Sequence, residues 1–382
     1  MPKKQIDVKA ITSGLKTKSA GNMGLTGYDF VRYGKDDKYP TETFEAIRLS
    51  PTAKGCVDRK TQFVFGLGVD DTGIIVNRHG DTLNQVLRKA INTYSWLNSY
   101  VFHFNYNLLG EIIEIQNVDI RYCRKKTGLK KGMIDQFSNG RSTFLSQRAE
   151  IFLYDYENLA QQIEDDEGFD NFNGNLFYWT VDGTIYTLSS ADASLNSAQF
   201  ESSVQVYNYA TIENGFSASG VIKLPSLQNG DDKEAFDKEI AALKGAANAG
   251  GLVSVELPQN IEGKNENVNM FEPFTIQNID KMFVNQTKDS KEHILREFRI
   301  PEILLGTSPD GMFNQESFAD AAIYYNNETE GDRLMLQESF NKFWENTVFK
   351  SQLNTIEIQP LDMSKFKKEE PNGSRPTTDN DQ

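Results

Sequence analysis

The run HILREFRIPEILLGTSPDGMFNQESFADAAIYYNNET, His293–Thr329, reads as two helices separated by a loop that neither helix can continue through. Pro301 lacks a backbone donor and crowds the turn before it, so the first helix ends ahead of it. GTSPDGMF, Gly306–Phe313, gathers glycine, proline, serine and aspartate, the residues of turns. Asn314 then stands where a side-chain oxygen can accept from first-turn N–H groups. The second helix is the longest in the chain, about Gln315 to Thr347, with Phe318, Ala322, Tyr325, Leu336, Phe340, Phe343 and Trp344 as its apolar positions. Gly331 interrupts it and marks a kink.

Working back from His293, the first helix begins near Ile279. Its ends are apolar (Ile279, Met282, Phe283; Ile294, Leu295, Phe298), while its middle, NQTKDSKE, is polar. A helix of that kind bridges solvent or packs against copies of itself. Before it lie two short strands, GLVSVELP and NVNMFEPF, around a polar loop. Before those is a helix over Asp231–Lys244, with Asp231 and Glu234 at capping-box spacing and GAANAGG at its end. The first half of the chain mixes both element types. Helices are expected from Pro40 to Leu49, from Pro51 to Phe65 and from Leu83 to Asn98. The first two are divided at Ser50-Pro51, and the second stops at the glycines of FGLGV. Alternating runs predict strands at YVFHFNYN, EIIEIQ, IRYCRKK, EIFLYDY, LFYWTV, TIYTL and QVYNY, and TIEIQPL is a closing strand. The fold class is α+β. The expected units are a polar arm over 1–38, a large α+β unit over 39–230, and a helical unit over 231–299 enclosing a small β unit at about 249–277. Residues 300–362 hold the loop, the long helix and the last strand, and 363–382 form a polar, proline-bearing tail.

The 382 residues carry 40 basic and 54 acidic side chains, a formal charge of −14. A protein that coats nucleic acid neutralises phosphates with surplus Lys and Arg, and this balance excludes that class. No apolar run is long enough for a membrane-spanning helix. The start, MPKKQIDVKA, has no apolar core of a signal peptide, which points to the cytoplasm or to a particle assembled there. Cys56 and Cys123 are too few for a disulfide framework and read as reduced thiols. His79, His103 and His293 are scattered, so no zinc site and no cofactor is expected. Walker-type, GxGxxG and GxSxG spacings are all missing, and no catalytic residue is assigned. Arg121–Arg148 is basic and Glu150–Asp170 is acidic. These blocks are solvated faces or a charge-matched contact between subunits. RKKTGLKK, Arg124–Lys131, is a solvated hairpin tip or a local phosphate contact.

Five segments in this order resemble tailed-bacteriophage portal proteins of the compact HK97-like group. They are Tyr39–Val69, Tyr106–Gly128, Asn214–Pro225, Leu243–Glu256 and His293–Thr329. In the last, Phe298, Ile300, Pro301, Leu304, Leu305, Gly306, Asn314 and Glu316 match the family's pattern. The resemblance implies a portal-type protomer: a wing, a two-helix stem (Asp231–Lys244 with Ile279–Arg299), a small clip, and a long wing helix after a tunnel loop. It implies a homo-oligomeric ring of about twelve copies at a capsid vertex of the virion, assembled in the host cytoplasm. Double-stranded DNA would be packaged and ejected through this head-tail connector. Its partners would be the major capsid protein, the terminase large subunit and a head-tail adaptor, with no membrane. The tunnel loop would be Gly306, Thr307, Ser308, Pro309, Asp310, Gly311, Met312 and Phe313, and Lys281, Lys288 and Lys291 would meet phosphates. The clip is short, and no long C-terminal crown is visible. A second reading is another structural head or neck component, and a third is an enzyme with a convergent acid–base or metal site.

Overall fold

The structure, a computed structural model, describes residues 30–34, 36–70, 73–136, 147–213, 220–225, 253–257, 271–273, 283–306 and 315–363. Helix α1 (Tyr39–Leu49) carries Pro40 in its first turn and stops where Ser50 turns extended (ψ 115°) ahead of Pro51. Ser50 at once caps α2 (Pro51–Phe65), its hydroxyl accepting from the Ala53 N–H at 3.1 Å. The Ser-Pro pair thus ends one helix and starts the next. Gly66 ends α2 with φ 57°, and a Cβ there would lie 2.1 Å from the Gln359 carbonyl. That close approach lets β1 (Gly68–Val69) pair with the last strand. Helix α3 (Leu83–Leu97) opens with a capping box between Thr82 and Gln85 and closes on Asn98 in the left-handed region.

Strands β2 (Ser99–Tyr106), β3 (Ile112–Asn117), β4 (Cys123–Lys125), β5 (Lys131–Gln136), β6 (Gln147–Leu153) and β7 (Asn175–Thr180) form one sheet in the order β3-β2-β7-β6-β5-β4. All its pairs are antiparallel except β6 with β7, which run parallel for two residues. A short helix, α4 (Leu159–Asp165), lies between β6 and β7 in sequence. Gly174 (φ 78°) brings the chain so close to the Phe104 carbonyl that any side chain would collide with it.

Side chains of β2 alternate between two dry cores. Tyr100, Phe102 and Phe104 meet α3 and the helix α8 (Glu330–Trp344), with Phe104 and Phe343 ring centroids 4.8 Å apart and Tyr100 and Phe340 5.2 Å apart. The polar groups on this face are partnered: the Tyr100 hydroxyl is 2.7 Å from Ser339 Oγ, and the Tyr106 hydroxyl donates to Asn175 Oδ1 at 2.7 Å. Val101, on the opposite face, joins a second core built from α1, α2, α5 (Leu195–Glu213), α6 (Val284–Phe298) and α7 (Gln315–Glu328).

Some elements differ from the sequence reading. QVYNY is part of α5, not a strand. The short alternation there is overridden by a longer pattern in which Leu195, Ala198 and Val204 are buried at multiples of three. TIYTL, Thr184–Leu188, is an irregular segment. Thr187 donates to the Leu97 carbonyl (2.7 Å) and Ser189 to that of Trp96 (2.5 Å), so the segment serves the orphaned carbonyls at the end of α3. The long helix breaks at Thr329, not at Gly331, giving α7 and α8. Thr329 Oγ1 donates back to the carbonyls of Tyr325 (3.0 Å) and Asn326 (3.1 Å), a competition with the helix ladder that bends helices. Gly331 lies inside α8 with open space around it.

A separate three-stranded sheet has β8 (Gly220–Pro225) at its centre, parallel to β9 (Val253–Leu257) and antiparallel to β10 (Phe271–Pro273). The small β unit expected at 249–277 therefore takes its middle strand from residues placed in the preceding unit. The expected helix at Asp231–Lys244 lies outside the described residues, as do the arm up to residue 29 and the tail from 364. The closing strand is β11 (Ile358–Gln359), paired with β1.

Cys56 and Cys123 are both buried and unpaired, and burial pushes each thiol up to about 12. In the folded protein at pH 8 neither should react with a disulfide reagent such as Ellman's, and both should react in denaturant. Labelling of either thiol in the native state would contradict this packing.

Candidate functional site

The passage from α6 to α7 is where the sequence placed its functional loop. Helix α6 sets Ile294, Leu295 and Phe298 into the core and leaves Lys288, Asp289, His293 and Arg296 exposed. Among the described residues it packs against α5 and α2. Phe283, just ahead of α6, meets Phe200 and Tyr207 edge-on at 6.2 and 5.3 Å, two rings one heptad apart on α5. Asp231–Lys244, the partner expected from sequence, lies outside the described residues.

Helix α5 is tied in turn to the start of α2. Glu201 accepts from the hydroxyl of Ser50, from Thr52 Oγ1 (2.7 Å) and from the Thr52 N–H (3.3 Å). A carboxylate is favoured there, since a helix N-terminus carries unsatisfied donors and partial positive charge. No sequence motif marks Glu201. It continues the three-residue spacing of Leu195 and Ala198, which the strand-like alternation of QVYNY obscures in the sequence.

The turn after α6 is closely fixed. Arg299 sits in the left-handed region (φ 54°) while the Ile300 N–H bonds back to the Leu295 carbonyl at 3.0 Å, a helix ending usually given to glycine. Pro301 is followed by one 3-10 turn, Glu302–Leu305, with Leu304 fully buried, and Gly306 (φ 81°) closes it. Two ion pairs bracket this turn. Lys291 reaches Glu302 at 2.5 Å, and Arg299 reaches Glu328 of α7 at 2.7 Å. The hydrogen bond to Glu328 raises the Arg299 pKa. A hollow of about 270 Å³ lies along it, lined by Glu292, Leu295, Arg296 and Arg299–Glu302.

Of the residues expected at the channel, Gly306 is placed at the end of this turn. Thr307, Ser308, Pro309, Asp310, Gly311, Met312, Phe313 and Lys281 lie outside the described residues. Lys288 is exposed on the outer side of α6, whereas Lys291 is drawn toward Glu302.

No family model matches the sequence, and no curated protein does. Solved structures do overlap it. The virion of a native gene transfer agent particle contains a chain 14% identical, covering 85% of this chain and 84% of that one at a TM-score of 0.49. The neck of the native gene transfer agent particle, computed with C12 symmetry, gives 14% identity, 84% of each chain and a TM-score of 0.45. An HK97-family phage portal protein from Corynebacterium diphtheriae gives 8% identity, 82% of this chain and 93% of that one, at a TM-score of 0.39. The chain is similar to a phage portal protein.

The basic and acidic blocks meet within the chain. Lys126 pairs with Glu150 (2.7 Å) and Lys131 with Asp166 (2.9 Å), while Arg124 is buried against Asp37 (2.5 Å). Lys125 lies half-buried over the Tyr178 ring at 4.5 Å, and burial lowers its pKa to about 8. RKKTGLKK therefore offers a phosphate far less free charge than its composition suggests. Among the described residues no three His, Cys, Asp or Glu side chains gather as a metal site would need, and no helix is long and apolar enough to cross a membrane.

Two outcomes follow from this arrangement. Glu201→Ala leaves the Ser50 and Thr52 donors without their acceptor and should lower stability in denaturant unfolding by about 1–3 kcal/mol. A change within error would show that α5 is not anchored there. Lys125 binds its proton less tightly folded than unfolded, so the cost of burying the charged amine is present below pH 8. That cost is relieved as pH rises toward the unfolded value of about 10.4. Between pH 7 and 10 the wild type should gain stability relative to Lys125→Met, and parallel pH profiles would refute this.

Proposed function

We propose that this chain is the subunit of a phage portal: a ring of about twelve copies at one capsid vertex, through which double-stranded DNA is packaged and later ejected. The observation that carries the reading is the passage His293–Thr329. In it α6, the Pro301 turn, Gly306 and the broken helix α7–α8 follow one another in the order of the family's stem, tunnel loop and wing helix. The four other segments that resemble the family precede it in the same order along the chain.

In this reading α6 is one stem helix, α5 takes the place expected for Asp231–Lys244 as its partner, and the clip is the unit between them that contains β8, β9 and β10. The terminase large subunit and then the head-tail adaptor would dock at that end, and the major capsid protein would surround the wing. The tunnel loop is Gly306–Phe313, held at its first residue by the packed turn and at its far end by α7. The polar outer face of α6 suits a surface shared between neighbouring copies and the channel.

The electrostatics agree with a conduit rather than a binder. A channel that grips DNA would hold it by counterion release, and a chain at −14 does not. Lys288 would then make a passing phosphate contact. Lys291 would keep the turn in place through Glu302, a role that a phosphate contact would compete with. The protein's work in this reading is positional and needs no catalytic residue.

Deleting Ser308–Gly311 tests the assignment of the loop. The shortened chain should still form rings by negative-stain imaging, because the turn before the loop and the helix after it keep their core contacts. Particles assembled with it should contain little DNA. Normal packaging by the deletion would remove the loop from the channel.

A further inference from the structure

Strands β6 and β7 run side by side for two residues and then part, and the split leaves a cleft of about 650 Å³. Leu129, Leu153, Tyr154, Asp155, Gln161 and Asp165 are among the residues that line it. One wall is a strand edge. The Tyr154 N–H bonds to the Leu176 carbonyl at 2.8 Å, so residue 176 faces β6. The pleat alternates, and the N–H and C=O of Tyr178 therefore face the same side, where β6 has already turned away. The pairing of β6 with β7 ends at Leu153 and Leu176, so the ladder does not reach Tyr178 on that side. An open strand edge inside a cleft is a place where an extended segment can add as a further strand.

From this we infer that the cleft is the seat of the chain's own N-terminal segment, Gln5–Thr12. The chain enters the described structure at Phe30, bridged antiparallel to Lys126, with the Val31 N–H on the Lys125 carbonyl at 2.9 Å. Traced toward lower numbers at that point, it heads the way β4 runs, toward the hairpin tip that carries Leu129. The cleft opens at that tip. The residues between 12 and 30 can span about 60 Å, far more than the approach needs. QIDVKAIT is the one stretch of the arm with strand periodicity, Ile6, Val8 and Ala10 alternating with Asp7 and Lys9. Charge favours the same match. The first twelve residues hold Lys3, Lys4 and Lys9 against Asp7, and Glu150–Asp170 beside the cleft holds acids and no Lys or Arg. The segment supplies apolar side chains for Leu129 and Leu153, Lys9 for the acids at Asp155 and Asp165, and a backbone for Tyr178. This docking is independent of the portal reading and would hold in a monomer.

The test uses the full-length chain, in which Cys56 and Cys123 are buried. Val8→Cys is combined with Gln161→Cys in the cleft, and with Glu338→Cys on α8, outside the cleft lining, as a control. Mild oxidation should give a disulfide within one chain for the Gln161 pair, well above the control, on a non-reducing denaturing gel. Separately, Ile6→Asp with Val8→Asp should speed amide exchange at Tyr178 by about tenfold or more while leaving β2 protected. Both results are required. Cross-linking no better than the control, links only between two copies, or unchanged exchange at Tyr178 would each overturn the inference.

Discussion

Strand β2 buries side chains on both of its faces from Ser99 to Phe102, and the rest of the molecule is arranged around that fact. Tyr100, Phe102 and Phe104 are fully buried on one side, and Val101 is buried on the other. A half-solvated antiparallel sheet needs one covering layer; this one needs two. The first is α3 with α8, and the second is the group of α1, α2, α5, α6 and α7. The segments on either side of the proposed tunnel loop are thereby fixed to the sheet. Ile294, Phe298 and Leu304 before the loop, and Tyr325 after it, all belong to the second core. Gly306 and the start of α7 are thus each joined to a segment anchored in that core.

Charge does a different job in each region. Where it is sheltered it orients elements, as Glu201 does at the start of α2. Where it is exposed, pairs such as Lys54 with Asp58 add little to stability. The basic and acidic blocks neutralise one another within the chain at Lys126–Glu150 and Lys131–Asp166. A surface that looked suited to a charge-matched neighbour is partly spent on the protomer's own hairpin.

Long periodic segments could be read from sequence because a single face decided them. Leu83, Val86, Leu87, Ala90 and Ile91 give α3 its helical period, and YVFHFNYN gives β2 its alternation. The misreadings came where a local pattern competed with a longer one or with tertiary demand. QVYNY alternates over five residues, but α5 is decided over nineteen. TIYTL has strand composition, yet Thr187 and Ser189 are taken up by carbonyls of α3, a need that no local pattern encodes. Gly331 was the natural place for a kink by propensity, whereas the break follows the Thr329 hydroxyl. At the candidate site, Pro301 and Gly306 marked the turn correctly because their backbone constraints are intrinsic. Glu201 and the pairing of α5 with α6 rest on contacts between segments far apart in sequence, and these no spacing rule reveals.

The central claim is that this subunit closes into a ring, and the mass of the purified protein by light scattering tests it most directly. The account predicts a species of about twelve times 43.2 kDa with a central hole by negative-stain imaging. A monomer or dimer that persists at high concentration and with capsid or scaffold components present would contradict it.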